Sequence, residues 1–316
     1  MVTQKGKNTY VVAIHGNFDD AQTGVKKMFN DKELGKELAD KGFQFSSANS
    51  INIGRLVPQV VYYVYAYANL VKNGEIADGE KINVTVPTGN FGNILAAYFA
   101  KQMGVPIDKL ICASNDNKVL YDFFKTGVYD KNRPFILTSS PSMDILISSN
   151  LERLIYLSTG CDAEETKKRM EELSKDGKYS VTDEMRARMA DFVGGYADQA
   201  ANAAEIKRLY DETGYMIDTH TGVASCVYHN YVKETGDTKK TVIASTASPY
   251  KFSRSVMEAI FGSEEGKGEF ELIDEMEKAS GVKIPQAIEE IRKAEIRHNR
   301  QCKPEEMEKT VSEILQ

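Results

Sequence analysis

Cysteine, histidine, clustered positive charge and long apolar runs are all scarce in this 316-residue sequence, and each shortage removes a class of function. The four cysteines (Cys112, Cys161, Cys226 and Cys302) are far apart, with no Cys-x-x-Cys pair and no histidine at zinc-ligand spacing. They read as reduced thiols of a cytoplasmic protein, and no metal is expected. Basic residues form no block, and 40 Lys and Arg against 46 Asp and Glu leave a formal net charge of -6. A general nucleic-acid or membrane binder needs such a block to neutralise phosphates, so neither partner is expected. Any anionic ligand must then be held by a local site. The most apolar long run, "LVPQVVYYVYAYANLV", covers about 16 residues and contains Pro58 and Gln59. A membrane span needs roughly 20 apolar residues, and no signal-peptide pattern is expected at the start of the chain.

What is present is an alternation of strand and helix patterns through the first 125 or so residues. "TYVVAIHG" (9–16) is a β-branched run closed by glycine, and the stretch 19–42 reads as helical, with Asp19 or Asp20 placed to cap it. "FQFSSANS" (43–50) reads as a strand entering a polar loop, and 54–74 repeats apolar residues at helical spacing. A strand at 82–86, a helix to about Met103, a strand at 109–114 and a helix at 117–127 follow. Such alternation predicts an α/β fold with parallel sheets covered by helices. From about residue 129 to 215 the pattern becomes charged and amphipathic, which predicts a helical insertion. One further strand signal, "TVIAST" (241–246), ends in hydroxyls ahead of a helix started by Pro249, and the last 55 or so residues read as polar surface helices. The tyrosines at 62, 63, 65 and 67 are assigned to packing rather than to base stacking.

Two loops stand out. "PTGNFGN" (87–93) lies between a strand and a helix, where open α/β sheets place ligands and where a helix start offers unpaired N–H groups to an anion. An ordinary strand-to-helix turn is the plainer alternative. No GK[ST] follows, so this is not a P-loop, and the Gly89-x-x-Gly92 spacing is a poor dinucleotide fingerprint, which leaves a smaller phosphorylated cofactor. "SSANSINIGR" (46–55) is the second loop, offering Asn49, Ser50, Asn52 and the donor fork of Arg55. A helix-capping loop is the alternative there. Among the histidines, His220 sits in a Thr-rich stretch two residues from Asp218, where bracing the loop is favoured over catalysis because no serine elbow or metal spacing accompanies it.

The ordered motifs "SANSINIGRLVPQ", "VPTGNFGNILAAYFAKQMG", "SMDILISSNLERL", "DTHTGVA" and "ASTASPYKF" resemble the bacterial and fungal type of threonine synthase over essentially the whole chain. The resemblance implies a pyridoxal 5'-phosphate enzyme of fold type II (tryptophan-synthase β-like) that converts O-phospho-L-homoserine and water to L-threonine and phosphate. It implies that Gly89, Asn90, Phe91, Gly92 and Asn93 hold the cofactor phosphate, and that the Thr246 hydroxyl meets the pyridine nitrogen. It also implies that Asn49, Ser50, Asn52 and Arg55 line the substrate-phosphate site, and that the protein works as a monomer or homodimer. The implied division is 1–75 as the remainder of a smaller α/β subdomain and 76–316 as the larger cofactor-binding domain, with the helical insertion at 129–215.

Two departures from the family pattern qualify this. Ser248 stands where many relatives have histidine. The family's Schiff-base lysine lies on a segment upstream of "TYVVAIHG", so it is expected upstream of Met1; Lys81 and Lys101 are poorly placed to replace it. The expectation is thus the C-terminal two-thirds of a threonine synthase, unable alone to make threonine. A noncatalytic phosphate- or nucleotide-binding protein of the same fold is the alternative function.

Overall fold

The structure, a computed structural model, describes residues 1–315, the side chains of residues 18 and 19 excepted. Among the described residues eight strands are formed: β1 (Val12–Ile14), β2 (Ile82–Pro87), β3 (Ile107–Ser114), β4 (Val128–Asp130), β5 (Lys178–Ser180), β6 (Phe192–Tyr196), β7 (Thr241–Ile243) and β8 (Arg300–Cys302). Contacts divide the chain into two units, one of residues 1–46 with 282 onward, the other of residues 47–281. This differs from a single boundary at 75, since 47–75 pack with the larger unit.

In the larger unit, β6, β3, β2 and β7 form a four-stranded sheet in that order, every pairing parallel. All six residues of β2 are buried, as a central parallel strand requires when both faces are covered. Val84, Val86, Leu110 and Cys112 join one apolar cluster with Ile94, Leu95 and Ala97 of the helix Gly92–Gln102 and Tyr63 of the helix Val60–Lys72. Ile111 and Ala113 join the other, against Val223, Ala224 and Val227 of the helix Thr219–Thr235. Each fully buried leucine or isoleucine here is worth roughly 2 to 5 kcal/mol against alanine. The expected strand at 82–86, the strand at 109–114 and the helices after them are present. Tyr63 and Tyr67 pack inside, whereas Tyr62 and Tyr65 are exposed.

The region 129–215 is not helical throughout. Antiparallel β4 and β5 lie within it, and so does β6, an edge strand of the main sheet that follows shortly after the helix Asp183–Arg188. Gly194 and Gly195 account for the misreading, because glycine in a strand signals close approach rather than strand propensity. A Cβ at Gly194 would lie 3.1 Å from the Tyr121 backbone, and one at Gly195 would lie 2.4 Å from Val227.

In the smaller unit, β1 pairs in parallel with β8, Val12 opposite Arg300. The helical stretch 19–42 breaks at Asp31, whose extended backbone ends Phe18–Asn30 and whose carboxylate caps Lys32–Asp40 through the N–H groups of Glu33 and Leu34. Asn17, not an aspartate, caps the first helix, and Asp20 completes the box by accepting from the Asn17 N–H; the Asp19 side chain lies outside the described residues. The predicted strand at 43–50 is absent, Phe45 stacking on Phe29 instead of joining a ladder. Among the described residues no helix is long and apolar enough to cross a membrane.

Candidate functional site

The ends of β2, β3 and β7 converge on one edge of the sheet. At the end of β2 the Thr88 N–H donates to the Ala113 carbonyl (2.8 Å) and its hydroxyl to the Val86 carbonyl (2.7 Å), which closes the strand. Phe91 then takes a left-handed backbone, φ 65° and ψ 0°, rare for a bulky residue. Its ring, 1 % exposed, is locked between Phe124 and Phe192 with centroids 6.0 and 5.6 Å away. No side chain caps the helix Gly92–Gln102 that starts here. The first-turn N–H groups and the positive end of the helix dipole are what this loop offers to an anion.

Both glycines of the loop are sites of close approach. A Cβ at Gly89 would lie 2.5 Å from the Ser142 carbonyl oxygen, and one at Gly92 would lie 2.4 Å from the Ser50 side chain. Ser148 Oγ donates to the Gly89 carbonyl (2.7 Å), and Ser149 Oγ to Asn90 Oδ1 (3.1 Å). Asn93 is engaged elsewhere: its Oδ1 accepts from the Tyr63 hydroxyl and its Nδ2 donates to Gln59 Oε1 at 3.2 Å. Asn93 thus ties the loop to the helix behind it, and Phe91 offers only its backbone.

The second loop comes to the same place. Asn150 Nδ2 donates both to Ser50 Oγ (3.1 Å) and to the Asn90 carbonyl (2.8 Å), bridging the two loops. Asn49 Oδ1 accepts from Ser47 Oγ (2.7 Å) and the Ile51 N–H (3.0 Å), and Asn52 caps the short helix Ile53–Leu56 through the Gly54 N–H (2.9 Å). Those two asparagines shape the loop. Arg55 is exposed, and among the described residues its guanidinium has no ion-pair partner.

β7 brings the third group. Thr85 pairs with Ile243, so Thr246 stands three residues beyond the ladder just as Thr88 does, and its side chain is exposed. Ser248 accepts from the Tyr250 N–H (3.3 Å) and caps the turn Pro249–Phe252, a role that a serine fills well.

His220 is 2 % exposed and satisfied on both ring nitrogens. Its Nδ1 lies 3.0 Å from Asp218 Oδ1, and its Nε2 accepts from the Ser142 N–H at 3.2 Å. It braces the Ser142 turn that abuts Gly89. Burial alone would raise the Asp218 pKa, but hydrogen bonds from His220 and Thr221 outweigh it and hold the carboxyl below its ordinary range.

Several residues that build this edge carried no assignment in the sequence reading. Asp144, 2 % exposed, accepts from Asn115 (2.7 Å), Asn117 (3.1 Å) and both the N–H and hydroxyl of Thr138 (2.9 and 2.7 Å). This network pins the segment 136–144 over the end of β3. The signal available was "SNDN" directly after a strand, a polar cluster at a ligand-binding edge. Lys101 is held by Asp191 (2.8 Å) and the Asp108 carbonyl (2.6 Å), and Lys81 is exposed beside Asp108.

Comparison with known proteins agrees with this geometry. Residues 221–302 match the family model "Threonine synthase, C-terminal". The chain is 41% identical over 263 residues to threonine synthase-like 1 of Homo sapiens, covering 82% of this chain and 35% of that protein. It is 35% identical over 299 residues to the threonine synthase of Saccharomyces cerevisiae, covering 90% of this chain and 57% of that one. The pyridoxal-phosphate-bound crystal structure of threonine synthase from Brucella melitensis superposes with a TM-score of 0.78 at 34% identity, covering 98% of this chain and 59% of that chain. The chain therefore spans between about a third and three-fifths of the length of these relatives. With the ordered loops and parallel sheet above, these matches show a chain similar to the C-terminal part of threonine synthases, with the type II pyridoxal-phosphate fold.

Proposed function

We propose that this chain carries the cofactor-phosphate and substrate-phosphate subsites of a threonine synthase acting on O-phospho-L-homoserine with pyridoxal 5'-phosphate. The observation that carries the reading is the uncapped helix start at Gly92, held by Asn150 against the Ser50 loop. A phosphate group fits that donor set: backbone N–H groups without a side-chain cap, at the positive end of an 11-residue helix. The cofactor, when bound, supplies the electron sink for chemistry at the amino-acid carbons. The backbone of Gly89, Asn90, Phe91, Gly92 and Asn93 holds its phosphate. Thr246 offers a hydroxyl to the ring nitrogen; unlike a carboxylate, it does not hold that nitrogen protonated. Ser50 and Arg55 take the substrate phosphate, on a loop shaped by Asn49 and Asn52.

The second reading, a noncatalytic phosphate-binding protein of the same fold, draws on the lysines. Lys101 is held in an ion pair and Lys81 is exposed beside Asp108, so neither is available to the loop. The test is to supply pyridoxal phosphate and O-phospho-L-homoserine to the purified protein and to follow phosphate and threonine together. Equal release of both supports the reaction. Arg55→Ala should then lower kcat/KM about ten- to a hundredfold, the worth of a charge-assisted contact of roughly 1.5 to 3 kcal/mol, while cofactor absorbance stays intact. Cofactor binding with no measurable binding of O-phospho-L-homoserine favours the second reading.

A further inference from the structure

Behind the two loops lies a cleft of about 810 Å3, walled by Ile51 and Ile53, by Phe99 of the helix Gly92–Gln102, and by the helices Leu151–Ser158 and Ala163–Asp176. Its size is that of pockets that take small organic ligands, roughly 300 to 1,000 Å3. Leu157 and Met170 complete the apolar wall.

The charges around this cleft are not equivalent. Glu152, Lys167 and Glu171 are exposed on its rim, and the last two face each other at 3.9 Å. Arg153 alone among its charged groups is partly buried. Its Nε donates to Asn150 Oδ1 (3.2 Å) and its Nη2 to the Ile51 carbonyl (3.1 Å). Both partners are neutral, and among the described residues no carboxylate pairs with it. A guanidinium withdrawn from water without an opposite charge is costly, and its planar fork matches a carboxylate.

We propose that this cleft binds a small amphipathic monocarboxylate, its carboxylate on Arg153 and its apolar body between Ile53, Phe99, Leu157 and Met170. A neutral apolar ligand would leave the guanidinium unpaired. A dianion would bring a second charge against an apolar wall.

The test is calorimetric titration of the purified protein, without pyridoxal phosphate, using octanoate as the probe and octanamide as its uncharged counterpart. Saturable binding of one octanoate per chain is expected, with octanamide weaker by about tenfold or more, as loss of a charge-assisted contact implies. Arg153→Gln should weaken octanoate by about tenfold or more and leave octanamide unchanged. Because Arg153 also braces Ile51, Tyr156→Glu is the second variant: it places a negative charge at the exposed rim and should also weaken octanoate selectively. Failure of octanoate to saturate in the millimolar range overturns the proposal. Equal affinity for octanamide does so too, as does octanoate binding that both variants leave intact.

Discussion

Phe91 shows how one residue can serve the core and the site at once. Its ring fills the space between Phe124 and Phe192, while its left-handed backbone turns the chain into an uncapped helix. Truncating the ring should cost roughly 3 to 5 kcal/mol. The order of two truncations separates the ring from the backbone. Glycine accepts positive φ freely, whereas alanine pays roughly 1 kcal/mol there. Phe91→Gly is therefore expected to be more stable than Phe91→Ala in urea unfolding; the reverse order would remove the left-handed assignment. Little of this was legible beforehand. Gly89 and Gly92 announced close approach, but a bulky side chain gives no sign of positive φ. The amide of Asn93 looks like a ligand in sequence and is a tether in space, because only packing places Tyr63 and Gln59 beside it.

At the scale of elements, the edge of the sheet is held by buried polar side chains rather than by apolar contact. The helix Thr219–Thr235 starts on Asp218, which accepts from the His220 N–H (2.9 Å) and from the His220 ring and Thr221 hydroxyl. Burial opposes ionisation of this carboxyl, yet those bonds hold its folded pKa below the ordinary 3.8. A depressed folded pKa means stability that is present above the unfolded value, about 3.9, and lost as pH falls through the folded one. Stability should thus fall on acidification below about pH 4, and Asp218→Asn should flatten that acid limb while lowering stability near pH 7. An acid limb unchanged by the substitution would take Asp218 out of the cause. Strands β2 and β3 were legible because short stretches rich in β-branched and apolar residues, Ile82–Val86 and Leu110–Ala113, stand between turn signals and helical patterns. β6 was not, since its two glycines exist to admit Tyr121 on one face and Val227 on the other.

At the scale of the whole molecule, the smaller unit is discontinuous in sequence, and its core takes Cys302 and Met307 from the end of the chain to pack with Met28, Leu34 and Leu38. Three-residue strands of unremarkable composition, such as Arg300–Cys302, carry no alternation, so their pairing with β1 could not be read from pattern alone. The larger unit has apolar clusters of its own. Ending the chain at Gly281 is expected to abolish hydrogen-exchange protection over residues 12–40 and to leave it intact over 82–114. Persistent protection over 12–40 would mean that β8 does not hold that unit together.

The most direct test concerns the loop between β2 and its helix. Pyridoxine 5'-phosphate has no aldehyde to react with lysines, so it reports the phosphate subsite alone, and unphosphorylated pyridoxine is its control. Amide signals would be followed by NMR during titration with each. The expected result is that the signals of Gly89, Asn90, Phe91, Gly92 and Asn93 shift with the phosphate ester only, and that Gly92→Val, whose added Cβ meets Ser50 at 2.4 Å, abolishes the shifts. Equal shifts with pyridoxine, or shifts confined to other residues, would contradict a phosphate-binding loop at this place.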